Sequence, residues 1–192
     1  MGFLDTLLGR SKPVKPDLDD LFALPSAAVT LQAAAGLTPT GQGSVCVKRA
    51  EGSAFTGLRE QVDQLLAVDA EPGSRKYEET TDSFGFTWLT RRTGTDDIAG
   101  LVTDLHTVNS TLNDAGFGAA LLCTLVPFSD GQSSPVGLVY LYKRGTWYPF
   151  APTGPNSRDN ARELQLRAAI GDDLKIESDL SRWFPVWGAP GL

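Results

Sequence analysis

An apolar stripe in the middle of the chain constrains the fold most. Its members recur every three or four residues and are Ile98, Leu101, Val102, Leu105, Val108 and Leu112. Side chains at this spacing share one face of an α-helix, which we expect to begin at Thr95 or Asp96 and to end before Gly116. A helix with one apolar face needs a second layer to bury it, so the rest of the chain has to supply that layer.

Segments rich in β-branched and aromatic residues predict that the second layer is a sheet. The expected strands span residues 44–49, 77–81, 84–91, 117–128, 136–143 and 146–150. Val45 and Val47 alternate with polar neighbours, as on a half-buried strand. One strand would place three aromatic residues on the same side, namely Phe84, Phe86 and Trp88. The turns at Asp82-Ser83 and Arg144-Gly145 have hairpin length, which favours antiparallel pairing.

Capping residues and breakers indicate four shorter helices. Their expected first and last markers are Asp17 and Pro25, Ser26 and Gly36, Ser53 and Glu71, and Asn156 or Ser157 and Gly171. A length of 192 residues suits one domain. The order β-α-β-β-α-β-β-β-α predicts a single α+β domain over residues 17–179, with a mainly antiparallel sheet covered by helices on one face.

The first 16 residues stand apart as an amphipathic and basic segment. Four apolar residues at helical spacing precede three basic ones: Phe3, Leu4, Leu7 and Leu8, then Arg10, Lys12 and Lys15. Such a segment can lie in a lipid interface. Docking on its own domain is the favoured alternative, because an isolated helix of about two turns is marginal in water.

The tail over residues 180–192 is unusually aromatic, with Trp183, Phe184 and Trp187 close together. Aromatic surface at a chain end is a liability if it hangs free. The tail therefore either packs on the sheet, which we favour, or is held for a partner.

Charge and hydropathy exclude several classes of protein. Seventeen basic residues against 23 acidic ones give a net charge of −6, so a general electrostatic grip on nucleic acid is not expected. The sequence holds no run approaching the ~18 to 20 apolar residues of a spanning helix and no secretion signal. We expect a cytoplasmic protein.

The inventory of reactive side chains predicts no metal, cofactor or catalytic set. Cys46, Cys123 and the one histidine, His106, are too few to close a structural zinc site. The two cysteines are expected to be reduced and buried. Asp104 lies two residues from His106 on the predicted helix and therefore cannot easily orient its imidazole. We therefore expect a protein that is not an enzyme.

Other suggestive patterns have ordinary explanations. Residues 36–44 contain the glycines of a phosphate loop, but Gln42 stands where the lysine is needed, so a plain turn is predicted. Adjacent carboxylates such as Asp96 and Asp97 suit helix starts. The aromatic hairpin over residues 140–150 could stack bases, yet on an acidic protein it is better interpreted as core and rim.

Four stretches resemble the PspAB family, actinobacterial proteins associated with phage shock protein A. They are residues 1–10, 102–112, 138–145 and the most specific stretch, 181–192, which reads SRWFPVWGAPGL. The resemblance implies association with a coiled-coil protein that coats stressed inner membranes from the cytoplasmic side. It brings no catalytic residues with it.

The leading hypothesis is a non-enzymatic accessory protein of the envelope-stress response that binds phage shock protein A or a neighbouring component. The expected contact residues are Phe3, Leu4, Leu7, Leu8, Trp183, Phe184 and Trp187. A second hypothesis is peripheral binding of residues 1–16 to the inner face of the cytoplasmic membrane. A third is an enzyme acting on a small metabolite, for which the sequence offers only scattered carboxylates.

Overall fold

The computed structural model describes residues 17–48 and 77–192 and shows an antiparallel sheet of seven strands. The strands are β1 (Thr38–Pro39), β2 (Gln42–Lys48), β3 (Glu78–Thr81), β4 (Phe86–Arg92), β5 (Leu121–Ser129), β6 (Val136–Leu141) and β7 (Thr146–Phe150). They lie in the order β3-β4-β2-β5-β6-β7, with β1 beside β5. A separate pair is formed by β8 (Pro152–Gly154) and β9 (Ser157–Arg158).

The α-helices of the described residues are α1 (Leu24–Ala35), α2 (Ile98–Leu112) and α3 (Asn160–Ile170). Together with the sheet they confirm a single α+β domain. The helix expected from Ser53 and the amphipathic segment over residues 1–16 lie outside the described residues.

Helix α2 packs its apolar stripe onto the sheet, as the spacing predicts. Its N-cap is Asp97, whose carboxylate accepts a backbone N–H of the first turn at 2.9 Å. The expected start at Thr95 or Asp96 was therefore slightly early. Helix and sheet approach each other closely at Gly43, where a Cβ would lie 2.6 Å from Leu105 Cδ1. A side chain at that point would therefore have to displace the Leu105 side chain that packs on the strand.

Strand β2 lies at the centre of the sheet and is buried on both faces. It pairs with β4 on one side and with β5 on the other. Val45 and Val47 face the helices, whereas Cys46 faces the opposite side. The expectation of a half-buried strand was wrong, because polar Ser44 is also buried and shares a hydrogen bond of 3.0 Å with the hydroxyl of Thr90.

The N-terminal helices differ from expectation in their boundaries. A 3-10 helix over Leu18–Ala23, capped by Asp17 as predicted, continues directly into α1. Pro25 does not end a helix, because it occupies the first turn of α1, where a missing N–H needs no partner. Ser26 is not a cap either, since it lies within that turn and its hydroxyl donates to Asp173 at 2.6 Å.

The last helix also begins later than predicted. Ser157 and the next residue belong to β9, and the N-cap is Asp159, whose carboxylate accepts the N–H of Arg162 at 2.9 Å. By contrast, Gly36 ends α1 as expected, with a φ of 66° that favours glycine.

Asp173 ties the residues that follow α3 to α1. The hydroxyls of Ser26 and Thr30 each donate to its carboxylate at 2.6 Å. These two hydrogen bonds lower the pKa of Asp173 below its usual value of 3.8. Because the folded pKa is the lower one, this stabilisation is complete above the unfolded pKa and is lost as the pH falls through the folded pKa.

We expect Asp173→Asn to lower the free energy of unfolding at neutral pH, because the charged acceptor is lost. The difference from the parent protein should shrink as the pH falls from 3.8 through the lower folded pKa, where the parent carboxylate also becomes neutral. Urea unfolding of both proteins at a series of pH values measures this difference. A gap of the same size at every pH would contradict the assignment.

The two faces of the sheet are covered by different parts of the chain. Helices α1, α2 and α3 cover one face, as predicted. Residues 183–192 lie against the other face, where Leu192 packs beside Gly137 of β6. Of the two alternatives for the aromatic tail, the structure therefore shows packing on the sheet.

Candidate binding groove

An open apolar groove of about 620 Å³ runs over the face of the sheet that carries the tail. Its floor consists of Cys46, Leu122, Cys123, Leu141 and Tyr148. One wall is the β3–β4 hairpin, with Phe84, Phe86 and Trp88, and the other wall is the tail, with Phe184, Pro185, Val186 and Trp187. The charged residues of the rim are Asp82, Lys143, Arg144 and Arg182.

The groove gathers exposed aromatic surface from both walls. Phe84 is 62% exposed, Phe86 is 36% exposed and Phe184 is 58% exposed. Single exposed apolar residues are normal, but several that converge on one concavity are typical of an interaction site. The three aromatic residues predicted to share one side of a strand, Phe84, Phe86 and Trp88, all line this groove. Phe84 does so from the turn before β4, because the strand begins at Phe86 and not at residue 84.

Asp82 holds the hairpin wall in shape. Its carboxylate accepts the backbone N–H groups of Phe84 and Phe86 and the indole N–H of Trp88, each at 2.9 Å. The turn predicted at Asp82-Ser83 is confirmed, with Gly85 at a φ of 83° completing it. Because three donors are directed at one carboxylate, the two exposed phenylalanines are presented on a fixed turn rather than on a loose loop.

Trp183 fixes the opposite wall from behind. Its indole N–H donates to the carbonyl of Glu177 at 3.0 Å, and its ring stacks on Tyr148 with centroids 5.8 Å apart. Burial raises the pKa of Tyr148 well above its usual value, so the hydroxyl stays protonated and donates to the carbonyl of Phe184 at 2.7 Å. The tail is therefore pinned where it enters the groove.

The structure separates the three aromatic tail residues predicted as contacts. Trp183 is only 6% exposed and lies behind the wall, whereas Phe184 and the half-buried Trp187 line the groove. Trp187 also packs edge-on against Phe150, with centroids 5.0 Å apart. The other predicted contacts, Phe3, Leu4, Leu7 and Leu8, lie outside the described residues.

Two thiols meet on the floor of the groove. Cys46 of β2 and Cys123 of β5 are directly opposite each other in the strand register. Both are free and buried, as expected. The hydrogen bond with Cys123, together with burial, raises the pKa of the Cys46 thiol far above its usual value, so Cys46 stays uncharged. Sequence reasoning missed this juxtaposition, because it depends on the order of strands rather than on spacing.

The cations of the rim differ in how they are compensated. Arg144 pairs with Glu177 and Arg182 pairs with Asp179, each with 3.0 Å between Nε and a carboxylate oxygen. Lys143 instead donates to the carbonyl of Ala119 at 3.0 Å. A carbonyl does not neutralise an ammonium group, so within the part of the chain that the structure describes Lys143 places a net positive charge beside the apolar groove.

A second concavity, of about 610 Å³, lies between α1, α3 and the loop after β5. Its charged residues Asp130 and Arg162 form an ion pair with each other. Backbone N–H groups of Ser133 and Gln132 lower the pKa of Asp130 to about 2, and Arg162 lies 3.6 Å from the same carboxylate. This arrangement stabilises a loop, and the apolar groove is the better candidate for binding.

His106 lies away from the groove, on α2. Its Nε2 is 3.3 Å from Asp19, and its ring packs on Phe22. Asp104 pairs with Arg91, so it does not orient the imidazole. Within residues 17–48 and 77–192, no group of three or more His, Cys, Asp or Glu side chains is placed to hold a metal ion.

None of the helices in the described ranges combines the length and the apolar composition that crossing a membrane requires.

Comparison with known proteins identifies the family. No curated protein and no solved structure matches the sequence. The model of one family, described as PspA associated protein B, matches residues 1–191. The resemblance seen in four stretches of the sequence thus extends over the whole chain. The chain belongs to the PspAB family.

Proposed function

We propose that this protein is a non-enzymatic accessory protein of the envelope-stress response that binds phage shock protein A, a coiled-coil protein, or a neighbouring component at the cytoplasmic side of the inner membrane. The family's name records an association with PspA. The observation that carries the proposal is the groove, in which exposed Phe184 and half-buried Trp187 form one wall.

The tail contributes to the proposed contact through Phe184 and Trp187. We leave Trp183 out of the proposed contact surface, because its ring is buried against Tyr148. Phe3, Leu4, Leu7 and Leu8 remain part of the proposal, as a second apolar element that either joins the same contact or touches lipid.

We expect the purified protein and phage shock protein A from the same organism to co-elute as a complex of defined stoichiometry. Phe184→Ala should weaken that complex by about tenfold, the loss typical of an exposed aromatic anchor. Size-exclusion chromatography with light scattering detects the complex, and titration by fluorescence anisotropy measures its dissociation constant.

The matched control is Phe22→Ala. Phe22 is 48% exposed but packs beside His106 near α2, on the side of the sheet that the helices cover. It should leave affinity unchanged. Two separate peaks at micromolar concentration would reject direct binding. Sedimentation with anionic liposomes, with and without residues 1–16, would then test the membrane alternative.

A further inference from the structure

The floor of the groove decides what kind of segment can lie in it. Strand β2 is bonded to β4 and β5, and β6 is bonded to β5 and β7. The main-chain groups of these strands are therefore used within the sheet. An extended peptide laid on this face would bury its own N–H and C=O groups without partners. A helix satisfies those groups internally and needs only side-chain contacts from the groove.

The aromatic side chains in the two walls of the groove indicate which side chains the bound segment carries. Phe84, Phe86 and Phe184 line the same apolar concavity, the first two from the hairpin and the third from the tail. Large apolar residues repeated at i, i+3 or i+4, and i+7 of one helix suit such a groove, because they lie on one face about a turn apart.

The charged residues at the rim of the groove indicate which charge the bound segment carries. Among residues 17–48 and 77–192, Lys143 donates to a carbonyl and forms no ion pair, whereas Arg144 and Arg182 are each paired with a carboxylate. The carboxylate of Asp82 accepts three N–H groups and has little need of a cation. An acidic side chain on the occupant, next to its apolar face, would therefore gain a partner in Lys143.

We propose that the groove between the β3–β4 hairpin and the tail binds an amphipathic helix of the partner, with its apolar face between Phe84 and Phe184 and a carboxylate at Lys143. This inference rests on the proposed function, since it takes phage shock protein A as the partner. It adds a second wall, the hairpin, and a charge requirement to the contact.

The test uses the full chain and fluorescein-labelled full-length phage shock protein A in anisotropy titrations. Phe84→Ala and Lys143→Glu should each weaken binding by about tenfold. The loss for Lys143→Glu should diminish at high salt, because a rim charge is screened. Lys175→Glu is the matched control, since Lys175 is an exposed lysine paired with Asp20 at 3.9 Å, and it should leave the affinity unchanged.

Helicity is tested with overlapping 20-residue peptides from phage shock protein A. A peptide that competes for the groove should gain helical circular dichroism on binding the protein. A competing peptide that stays extended would overturn the inference.

The remaining outcomes separate the two proposals. If the wild-type protein forms no complex with phage shock protein A, the proposed function is overturned. The choice of phage shock protein A as the occupant of the groove is then overturned as well. A wild-type complex that Phe184→Ala weakens, but that Phe84→Ala and Lys143→Glu leave intact, overturns the helix-in-groove inference alone. Loss of binding to phosphatidylglycerol vesicles in these two variants, with an unchanged protein complex, would assign the groove to lipid instead.

Discussion

Replacing Trp183 with alanine is expected to lower the free energy of unfolding by about 3–5 kcal/mol, as for other buried tryptophans and phenylalanines. The substitution removes the ring that stacks on Tyr148 and the indole N–H bonded to Glu177. It also leaves a cavity between the sheet and the tail, which the pinned backbone cannot close. Urea unfolding followed by far-ultraviolet circular dichroism measures the loss without relying on tryptophan emission.

Trp187→Ala is the matched control. Trp187 is half-buried and makes an edge contact with Phe150, so its loss should be clearly smaller. Equal losses for the two tryptophans would show that Trp183 has no special role in holding the tail. A binding defect in Trp183→Ala would report a disturbed fold, so Phe184 is the informative residue for the contact.

Glu163→Ala is expected to have a comparable effect, about 3–5 kcal/mol, because it breaks a buried ion pair by removing one partner. Glu163 is 2% exposed and accepts the Nε–H of Arg158 at 2.8 and 3.0 Å with its two oxygens. It also accepts the N–H of Ala151 at 2.8 Å. Without it, the N–H of Ala151 loses its acceptor, and the Arg158 guanidinium loses its carboxylate while keeping its hydrogen bond to the carbonyl of Trp183.

Two control variants locate the origin of that loss. Glu163→Gln keeps an acceptor for Ala151 but removes the charge facing Arg158, so it should recover part of the stability. Lys175→Ala removes an exposed charge whose partner Asp20 is 3.9 Å away and should change little, as surface pairs generally do. Chemical denaturation of all three variants under identical conditions makes the comparison. A loss for Glu163→Ala no larger than that for Lys175→Ala would mean that the pair is not structurally important.

Patterns that depend only on neighbours along the chain were predictable. The stripe from Ile98 to Leu112 specified helix α2, because helical spacing identifies a buried face without knowledge of the partner. The hairpin turns at Asp82-Ser83 and Arg144-Gly145 were predictable for the same reason, since turn chemistry is local. These features were sufficient to indicate an antiparallel α+β domain.

Burial on the second face of the sheet was not predictable from the sequence, because it depends on segments that are distant along the chain. Alternation in β2 indicated one buried face, but Cys46 belongs to the apolar cluster on the tail side of the sheet and Ser44 bonds to Thr90, so both faces are buried. Periodicity cannot show that a distant segment will cover the polar positions of a strand. For the same reason, the neighbouring thiols and the hairpin wall of the groove emerged only with the strand order.

The predicted boundaries of two helices were wrong because the same residue type can occupy different positions relative to a helix. Pro25 can follow a helix or occupy its first turn, and Ser26 can cap a helix or donate elsewhere. The contact of Ser26 with Asp173, 147 positions away, decides between these roles and is invisible locally. The tail residues were identified correctly as apolar and clustered, but burial divides them into a structural Trp183 and an exposed Phe184.

The central position of β2 has a consequence for how quickly the protein reaches its native state. The hairpins β3–β4 and β5–β6–β7 can close early, because their strands are consecutive. Strand β2 pairs residue 44 with residues 90 and 125, so its registration requires long loops to close first. Such high contact order is associated with folding times of milliseconds to seconds. We therefore expect the insertion of β2 between these two units to be the slow step of folding, during which each unit exposes an unpaired strand edge.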